Sequence, residues 1–241
     1  MVKTATTINS VSHAVRAIDL LAEQSAPVGL TVISSGLDLP RATTLRVLNT
    51  LIAHGYVWKQ DKRYALTLRL LELAASLRTG LAVPPALQAA LSALVERTGL
   101  TVHLAVLDGD RVCYISKVDP PGPLRMASHV GWRGPLHATA VGKILLTQAP
   151  AVVASLPHRL ERFTDRTITD RQDLDLAVGQ AVRVGYAVDD QELNTGLTCV
   201  AIAVPGHPRL AVSASGPTSA LPDSAIPGIV AELRSCVDAV S

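Results

Sequence analysis

The chain has 241 residues, of which 48% are hydrophobic and 3% aromatic, and its net charge is +2. This composition argues against disorder and provides a core for one large domain or two modest ones. No run of about 18 apolar residues predicts a membrane span, and the start of the chain lacks the apolar segment of a signal peptide. Three cysteines without a CxxC spacing argue against a disulfide framework or zinc site and favour a reducing cytoplasm.

Charge is divided unevenly along the chain. Residues 1–80 carry nine Lys or Arg against five Asp or Glu, whereas residues 81–241 carry 13 against 15. A basic first part indicates a polyanionic partner, although asymmetries of this size also occur without one.

An amphipathic helix is predicted near the start of the chain. Its apolar residues recur at three- and four-residue steps, which is the spacing of one helical face, so we expect them to be buried together. They are Ile8, Val11, Val15, Ile18 and Leu21.

Two further helices, over residues 30–37 and 40–54, and a β-hairpin complete the first region. Pro40 suits the first position of a helix, where its missing N–H costs nothing. The hairpin is predicted from the runs YVWKQ and RYALT, which flank Asp61-Lys62. The exposed side of the third helix carries Arg41, Thr43, Thr44, Arg46 and Asn49, and the basic residues around the hairpin tip are Lys59, Lys62 and Arg63.

Three helices followed by a basic two-stranded hairpin are the arrangement of a winged helix-turn-helix. A helix fits the major groove, where arginine can pair with guanine and threonine can touch a thymine methyl group or a phosphate. Basic side chains on the wing would neutralise phosphates beside the groove. Periodicity alone also allows a small helical domain whose exposed face is solvated or binds a protein.

The rest of the chain alternates between helix and strand patterns. A helix over residues 66–77 is expected to connect the two regions. The segment TGLAVPP, which is rich in Gly and Pro, is expected to form the boundary between them. An Asp-Gly pair at 108–109 predicts a hairpin, and the mixture of elements predicts an antiparallel sheet flanked by helices. Further strands are expected over 124–129, 186–188, 197–204 and 210–214, and helices over 86–97, 137–148, 170–184 and 224–240.

The glycine-rich stretch GWRGPLHATAVGK, residues 131–143, raises three possibilities. A phosphate-binding P-loop is excluded by spacing, because its first glycine would stand at His137 and Ile144 replaces the required hydroxyl. His137 as base and Thr139 as nucleophile would need a third group to orient the base. A binding pocket remains, in which a helix starting near His137 points its backbone N–H groups at an anion.

The second region contains acidic residues that could bind a metal ion and a cysteine that could act as a reactive thiol. Asp189, Asp190 and Glu192 lack His or Cys neighbours at ligand spacing, so a solvated acidic turn is the simpler interpretation. Cys199 lies in a small apolar strand pattern, where cysteine usually acts as a buried hydrophobe. We therefore expect no metal, no cofactor and no catalytic residue. The low aromatic content also disfavours a pocket built on ring stacking.

Several stretches of the chain resemble one protein family, both in their amino-acid sequences and in the order in which they occur. Each is a weak match alone, but together they cover about residues 8–239 and resemble the IclR-type bacterial transcription regulators. In the first region they are INSVSHAVRAIDLL, LTVISSGLDLPRATTLRVLNTLIAHGYV and KRYALTLRLLELA; in the second they are GPLHATAVGK, GYAVDDQE, NTGLTCVAIAVPG and AVSASGP.

The resemblance implies an α+β protein with a winged helix-turn-helix over residues 1–66, a linker helix and break over 67–84, and a GAF- and PAS-like α/β effector-binding domain over 85–241. The residues implied for DNA contact are Arg41, Thr43, Thr44, Arg46, Lys62 and Arg63. Those implied for effector contact are Ala140, Val141, Asp189, Leu197, Cys199, Ser213 and Ser215.

One position departs from the family pattern. The family usually has glycine where Asp38 stands, in the turn before the recognition helix. Aspartate tolerates a left-handed backbone better than most residues, so we expect the turn to be kept. An acidic side chain close to DNA is nevertheless unfavourable.

The resemblance implies a cytoplasmic regulator, most often a repressor in this family, that binds operator DNA as a homodimer or as a dimer of dimers, a tetramer. Its effector would be a small organic acid or a related metabolite. Two alternatives remain at this point. They are a constitutive DNA-binding protein whose second domain senses no ligand, and an enzyme that acts on a small acid.

Overall fold

The computed structural model describes residues 7–78, 83–122, 126–207 and 209–238. The chain divides into two compact units, Met1–Ala82 and Val83–Ser241. The elements of the first unit are α1 (Asn9–Ala22), β1 (Val28–Gly29), α2 (Leu30–Leu37), α3 (Arg41–Ala53), β2 (Val57–Gln60), β3 (Arg63–Leu66) and α4 (Arg69–Arg78).

The core of the first unit joins its three N-terminal helices to a small sheet. Leu21 of α1, Ile33 of α2 and Leu48 of α3 are buried together with residues of the hairpin. The predicted hairpin forms, and β1 adds a third strand to it, giving the antiparallel order β1-β3-β2. The sequence analysis did not predict β1, because two residues are too short to show a strand period. The architecture is a winged helix-turn-helix.

The apolar stripe predicted on α1 is only partly buried. Ile8, Val11 and Val15 are 69%, 56% and 52% exposed, whereas Ala17 is fully buried. The reason is the close approach of α1 to α2, where a Cβ added at Gly36 would lie under 3.0 Å from the Leu20 side chain. Small residues therefore decide which face of α1 packs inward, and three large apolar residues are left outside.

The second unit is built on a six-stranded antiparallel sheet with the order β6-β5-β4-β9-β8-β7. This confirms the predicted architecture of an antiparallel sheet with helices. Its elements are α5 (Pro85–Thr98), β4 (Thr101–Asp108), β5 (Arg111–Val118), β6 (Arg133–Pro135), α6 (Ala140–Leu146), α7 (Pro150–Ser155), α8 (Arg171–Val184), β7 (Ala187–Asp190), β8 (Leu197–Ala203), β9 (Leu210–Pro217), a 3-10 turn (Asp223–Ala225) and α9 (Ile226–Asp238).

Helices cover both faces of the sheet. Helices α5 and α9 pack against large residues such as Val200 and Ile202 of β8. Helices α6 and α8 pack on the opposite face, where the strands present small residues such as Ala201 and Ala211. Because alanine side chains are short, α6 approaches the sheet closely, and all seven of its residues are buried.

Several predicted elements differ in extent from the structure. The helix expected over 66–77 begins at Arg69, because Leu66 pairs with Val57 in the hairpin. The helix expected over 137–148 begins only at Ala140, because Thr139 has extended backbone and its hydroxyl accepts a hydrogen bond from Gly142 N as a cap. The strand expected over 124–129 is not formed by residues 126–129, and residues 124 and 125 lie outside the described part of the chain.

Candidate DNA and ligand sites

Helix α3 presents a polar, cationic face. Arg41 and Arg46 are exposed, and Thr43 is half-buried between them. The Arg41 guanidinium donates to Thr31 Oγ1 at 3.1 Å, which links the first turn of α3 to the start of α2. The two arginines therefore have the exposure that a contact with a base edge requires.

Thr44 lies on the other side of α3. It is 0% exposed, and its hydroxyl donates to Pro40 O at 3.2 Å. A side chain that is buried in this way cannot reach DNA, so the contact implied for Thr44 does not fit the structure. Its hydrogen bond instead holds the first turn of the helix.

The turn between α2 and α3 depends on a left-handed residue. Asp38 has φ 54° and ψ 49°, and its backbone N–H donates to the carbonyls that end α2. Glycine normally occupies this position because it has no Cβ to clash. The prediction that aspartate keeps the turn is confirmed.

The hairpin tip is a two-residue turn. Asp61 and Lys62 have φ 50° and 62°, the backbone of a type I′ turn, whose twist matches that of the strands. Lys62 is exposed at this tip. Arg63 donates to Pro27 O at 3.0 Å, so it also holds the chain that enters β1.

The second unit contains a cavity of about 980 Å³ at one end of the sheet. Its floor is a row of polar residues that crosses four strands. Asp189 of β7 pairs in register with Cys199 of β8. Ser215 of β9 lies next to Cys199, and Thr101 of β4 lies next to Ser215. These side chains therefore point to the same face of the sheet.

The cavity is lined by every residue that the resemblance implied for effector contact. Ala140 and Val141 contribute from the start of α6, Leu197 from the start of β8, and Ser213 from the next row of β9. Antiparallel pairing brings these distant stretches to one end of the sheet, because β7 and β9 end where β8 begins.

Aromatic residues also line the cavity, which the sequence did not predict. The rings of Tyr114 and Trp132 stack with their centroids 4.8 Å apart, and both contribute to the wall. His103 stacks on the other side of Tyr114, at 4.3 Å. The low aromatic content of the chain was therefore a poor guide to this pocket, because two of the few aromatic residues, Tyr114 and Trp132, both line it. A tryptophan beside glycines in the GWRG segment was the available signal.

Burial sets the ionisation of the polar floor. Desolvation raises the pKa of Asp189 to about 7, although the backbone N–H of Glu192 and the charge of Lys143 oppose that rise. Desolvation, followed by the nearby Asp189 carboxyl, also raises the pKa of the Cys199 thiol. Cys199 is therefore a neutral thiol near neutral pH and not an activated nucleophile.

A segment over the cavity is held by buried polar groups. Lys117 Nζ donates to the carbonyls of Met126 and Ser128 at 2.8 and 2.7 Å. His103 Nε2 lies 2.8 Å from Ser128 Oγ, and burial lowers the pKa of His103 to about 4. The neutral imidazole and the lysine thus fix one wall of the cavity.

The glycine-rich segment has a structural explanation. A Cβ at Gly142 would lie under 3.0 Å from Leu136 O, so only glycine lets the start of α6 fold back on the preceding chain. His137 Nε2 lies 2.8 Å from Glu161 O, and the Thr139 hydroxyl donates to Pro135 O at 2.8 Å. The groups considered as base and nucleophile are both engaged with backbone.

The described ranges of the chain contain neither a helix suited to span a membrane nor a cluster suited to bind a metal ion. None of the helices in these ranges combines the length and apolar character needed to cross a bilayer. The same residues contain no cluster of three or more His, Cys, Asp or Glu side chains suited to a metal ion.

These features define a class of protein. A winged helix-turn-helix with a cationic recognition face, in one chain with a sheet domain that encloses a large cavity, is the organisation of a ligand-responsive DNA-binding regulator. The IclR helix-turn-helix domain matches residues 10–61, and the bacterial transcriptional regulator IclR C-terminal domain matches residues 79–241. The chain belongs to the IclR family, and it is a DNA-binding transcriptional regulator rather than an enzyme.

Curated relatives match over most of their length. The HTH-type transcriptional regulator XynR of Escherichia coli is 32% identical over 212 residues, which cover 86% of this chain and 84% of XynR. The acetate operon repressor of Salmonella typhimurium is 30% identical over 229 residues, covering 91% and 84%. A solved IclR homologue from Microbacterium hydrocarbonoxydans, complexed with 4-hydroxybenzoate, has a TM-score of 0.75 at 22% identity, covering 95% and 96%.

Proposed function

We propose that the first unit binds operator DNA with α3 in the major groove and the hairpin beside it. The observation that carries this proposal is the common exposure of Arg41 and Arg46 on α3 and of Lys62 at the hairpin tip. Arginine pairs bidentately with guanine, and lysine neutralises phosphate. Thr43 and Arg63 would add contacts at the edges of this surface.

The proposed division of labour follows the predicted domains. Residues 1–66 bind DNA, residues 67–84 link, and residues 85–241 bind the effector. We propose that the regulator acts in the cytoplasm. We also propose that it represses its target genes, since the Salmonella relative is named a repressor.

The effector that we propose is a small organic acid or a related metabolite. The polar row of Asp189, Cys199 and Ser215 supplies hydrogen-bonding groups, and aliphatic and aromatic walls exclude water. A homologue of the same fold is complexed with 4-hydroxybenzoate, which makes carboxylic acids with and without a ring the first compounds to screen.

We further propose a homodimer, or a dimer of dimers, assembled through the first unit. Ile8, Val11 and Val15 form an exposed apolar stripe on α1, and Leu68 and Leu71, beside and on α4, are 78% and 65% exposed. Large apolar side chains exposed in groups of this kind are typical of an interface. A second copy is the occupant we propose, because a two-fold pair of recognition helices would match a near-palindromic operator.

DNA binding is tested with fragments from upstream of the gene and its neighbours, titrated against random DNA of equal length. Arg41→Ala or Arg46→Ala should weaken specific binding by roughly 1–3 kcal/mol if the residue reads a guanine. Lys62→Ala should weaken specific and random DNA alike and reduce the salt slope by about one.

The matched control is Arg159→Ala, which removes the same charge from an exposed side chain of the second unit. It should leave both affinities unchanged. Unchanged operator affinity in both α3 variants would remove α3 from the interface, and a loss confined to the operator in Lys62→Ala would contradict a phosphate contact.

A further inference from the structure

A buried charged cluster lies behind the floor of the cavity. Lys143, Asp189 and Glu192 are 4%, 2% and 7% exposed. They come from α6, from β7 and from the turn that follows β7. Charged side chains are rarely buried this deeply, because each loses its hydration. The cluster therefore needs an explanation beyond packing.

Lys143 ties the cavity wall of α6 to the β7 turn. Its Nζ donates to Val188 O at 2.8 Å and forms a short ion pair with Glu192 Oε1. Lys143 lies in the same short helix as Ala140 and Val141, which line the cavity. The ion pair thus fixes one wall relative to the strand that carries Asp189.

Asp189 is held by the same turn. Its Oδ1 accepts hydrogen bonds from Glu192 N at 2.7 Å and from Leu193 N at 3.4 Å. The first contact places the backbone of Glu192 directly against the Asp189 carboxyl. Two backbone donors occupy one oxygen, which leaves Oδ2 as the atom that can carry a proton.

The charges in the cluster do not balance. It contains two carboxyl groups and one ammonium group, and Glu192 Oε2 is buried without a hydrogen-bond partner. Two carboxylates in one buried site disfavour each other's ionisation, so one of them tends to stay protonated. Burial raises the pKa of the Glu192 carboxyl too, and the ion pair with Lys143 opposes that rise. The ion pair therefore favours Asp189 over Glu192 as the group that holds the proton.

We propose that the Lys143–Glu192 pair is a positioning element that holds the Asp189 carboxyl on the cavity floor and sets how readily this carboxyl takes up a proton. This inference rests on the proposed function of the cavity as an effector site. A neutral Asp189 offers a carboxylate effector a hydrogen-bond donor, whereas an ionised one would repel it.

Other groups near Asp189 are consistent with this assignment. Besides Glu192 and Lys143, the titratable groups that face it are Cys199 from β8 and Tyr114 from β5. Burial raises the pKa of each of them, so both are uncharged when Asp189 titrates. Removing Glu192 takes away a like charge and leaves the Lys143 cation, so the pKa of Asp189 should fall. Removing Lys143 should raise it.

The test is a pH titration of the full-length protein labelled with carboxyl-¹³C aspartate, followed by NMR without DNA or ligand. Asp189→Asn identifies the signal by its loss. We expect the wild-type signal to titrate near pH 7, at lower pH in Glu192→Gln and at higher pH in Lys143→Met. Glu161→Gln, which removes an exposed carboxylate, should leave the titration unmoved.

Circular dichroism confirms that each variant is folded, and one folded variant of the pair is enough to decide the direction of the shift. Titration at the ordinary value for aspartate, or a signal indifferent to both substitutions, would overturn the inference. Because the measurement uses neither DNA nor effector, its failure leaves the proposed function standing, and failure of DNA binding leaves the titration result standing.

Discussion

Asp38 is a residue whose backbone geometry follows from its place in the sequence. It stands between a helix that ends at Leu37 and a helix that begins at Arg41, and such a short connection needs a left-handed residue. Aspartate can adopt this conformation, but at a cost that glycine avoids. The backbone at Asp38 is therefore slightly strained, and this residue lies just before the helix proposed to bind DNA.

Asp38→Gly should raise the free energy of unfolding by about 1 kcal/mol, because it removes the Cβ clash of the left-handed backbone. Asp38→Asn is the matched variant, since it removes the charge but keeps a side chain in that conformation. Urea denaturation of both variants separates conformation from charge. Equal stability of the glycine and wild-type proteins would show that the turn is unstrained.

Helix α6 shows how one glycine positions an element. Its start folds back onto residues 136–139, and Gly142 is the residue that makes room for this contact. The seven buried residues of α6 then cover the alanine-rich face of the sheet and place Ala140 and Val141 at the cavity. A side chain at position 142 would therefore disturb both stability and the ligand site.

Gly142→Ala should destabilise the protein by about 1–3 kcal/mol, as overpacking of a tight contact does. Gly179→Ala in α8 is the control, because the added Cβ would meet only Arg183 Nη1, at 3.8 Å. That substitution should stabilise by about 0.5–1 kcal/mol through the better helix propensity of alanine. Thermal unfolding monitored by circular dichroism gives both signs, and a neutral Gly142→Ala would contradict the close packing of α6.

At the scale of the whole molecule, the sequence predicts elements better than it predicts surfaces. Helical spacing and turn residues were enough for α2, α3, the hairpin and the antiparallel sheet, because local chemistry dictates them. The exposure of Val11 was not predictable, since periodicity identifies an apolar face but not which face another helix covers. The burial of Thr44 was not predicted for the same reason.

The residues of the candidate ligand site could also be predicted only in part from the sequence. The residues that the resemblance implies for effector contact line one cavity, and antiparallel pairing explains why they come together. Their contact with an effector stays a prediction. Trp132 and the Lys143–Glu192 pair were missed because their contacts join segments far apart in the chain. The ion pair joins residues 49 positions apart, a separation that no local pattern records.

The exposed apolar stripe on α1 is the surface through which we expect two copies of the chain to form a dimer. Val11→Glu should shift the protein toward monomers and weaken operator binding, because a dimer would bury an unpaired charge. Leu176→Glu, at a 71% exposed site on α8, is the control and should leave the dimer intact. Sedimentation velocity reports the assembly state, and an unchanged dimer in Val11→Glu would exclude this stripe as the interface.

A regulator that responds to an effector requires that ligand binding in the cavity changes the affinity of the first unit for DNA. Operator affinity measured with and without a saturating carboxylate ligand tests this coupling. A thermal-shift screen supplies the ligand, and Ser215→Phe places a large side chain on the cavity floor within the second unit. We expect the ligand to change the operator affinity of the wild-type protein by about fivefold or more. Ser215→Phe should bind the operator normally but should not respond to the ligand. A ligand that binds the second unit yet leaves operator affinity unchanged, or a Ser215→Phe protein that responds like wild type, would contradict this coupling.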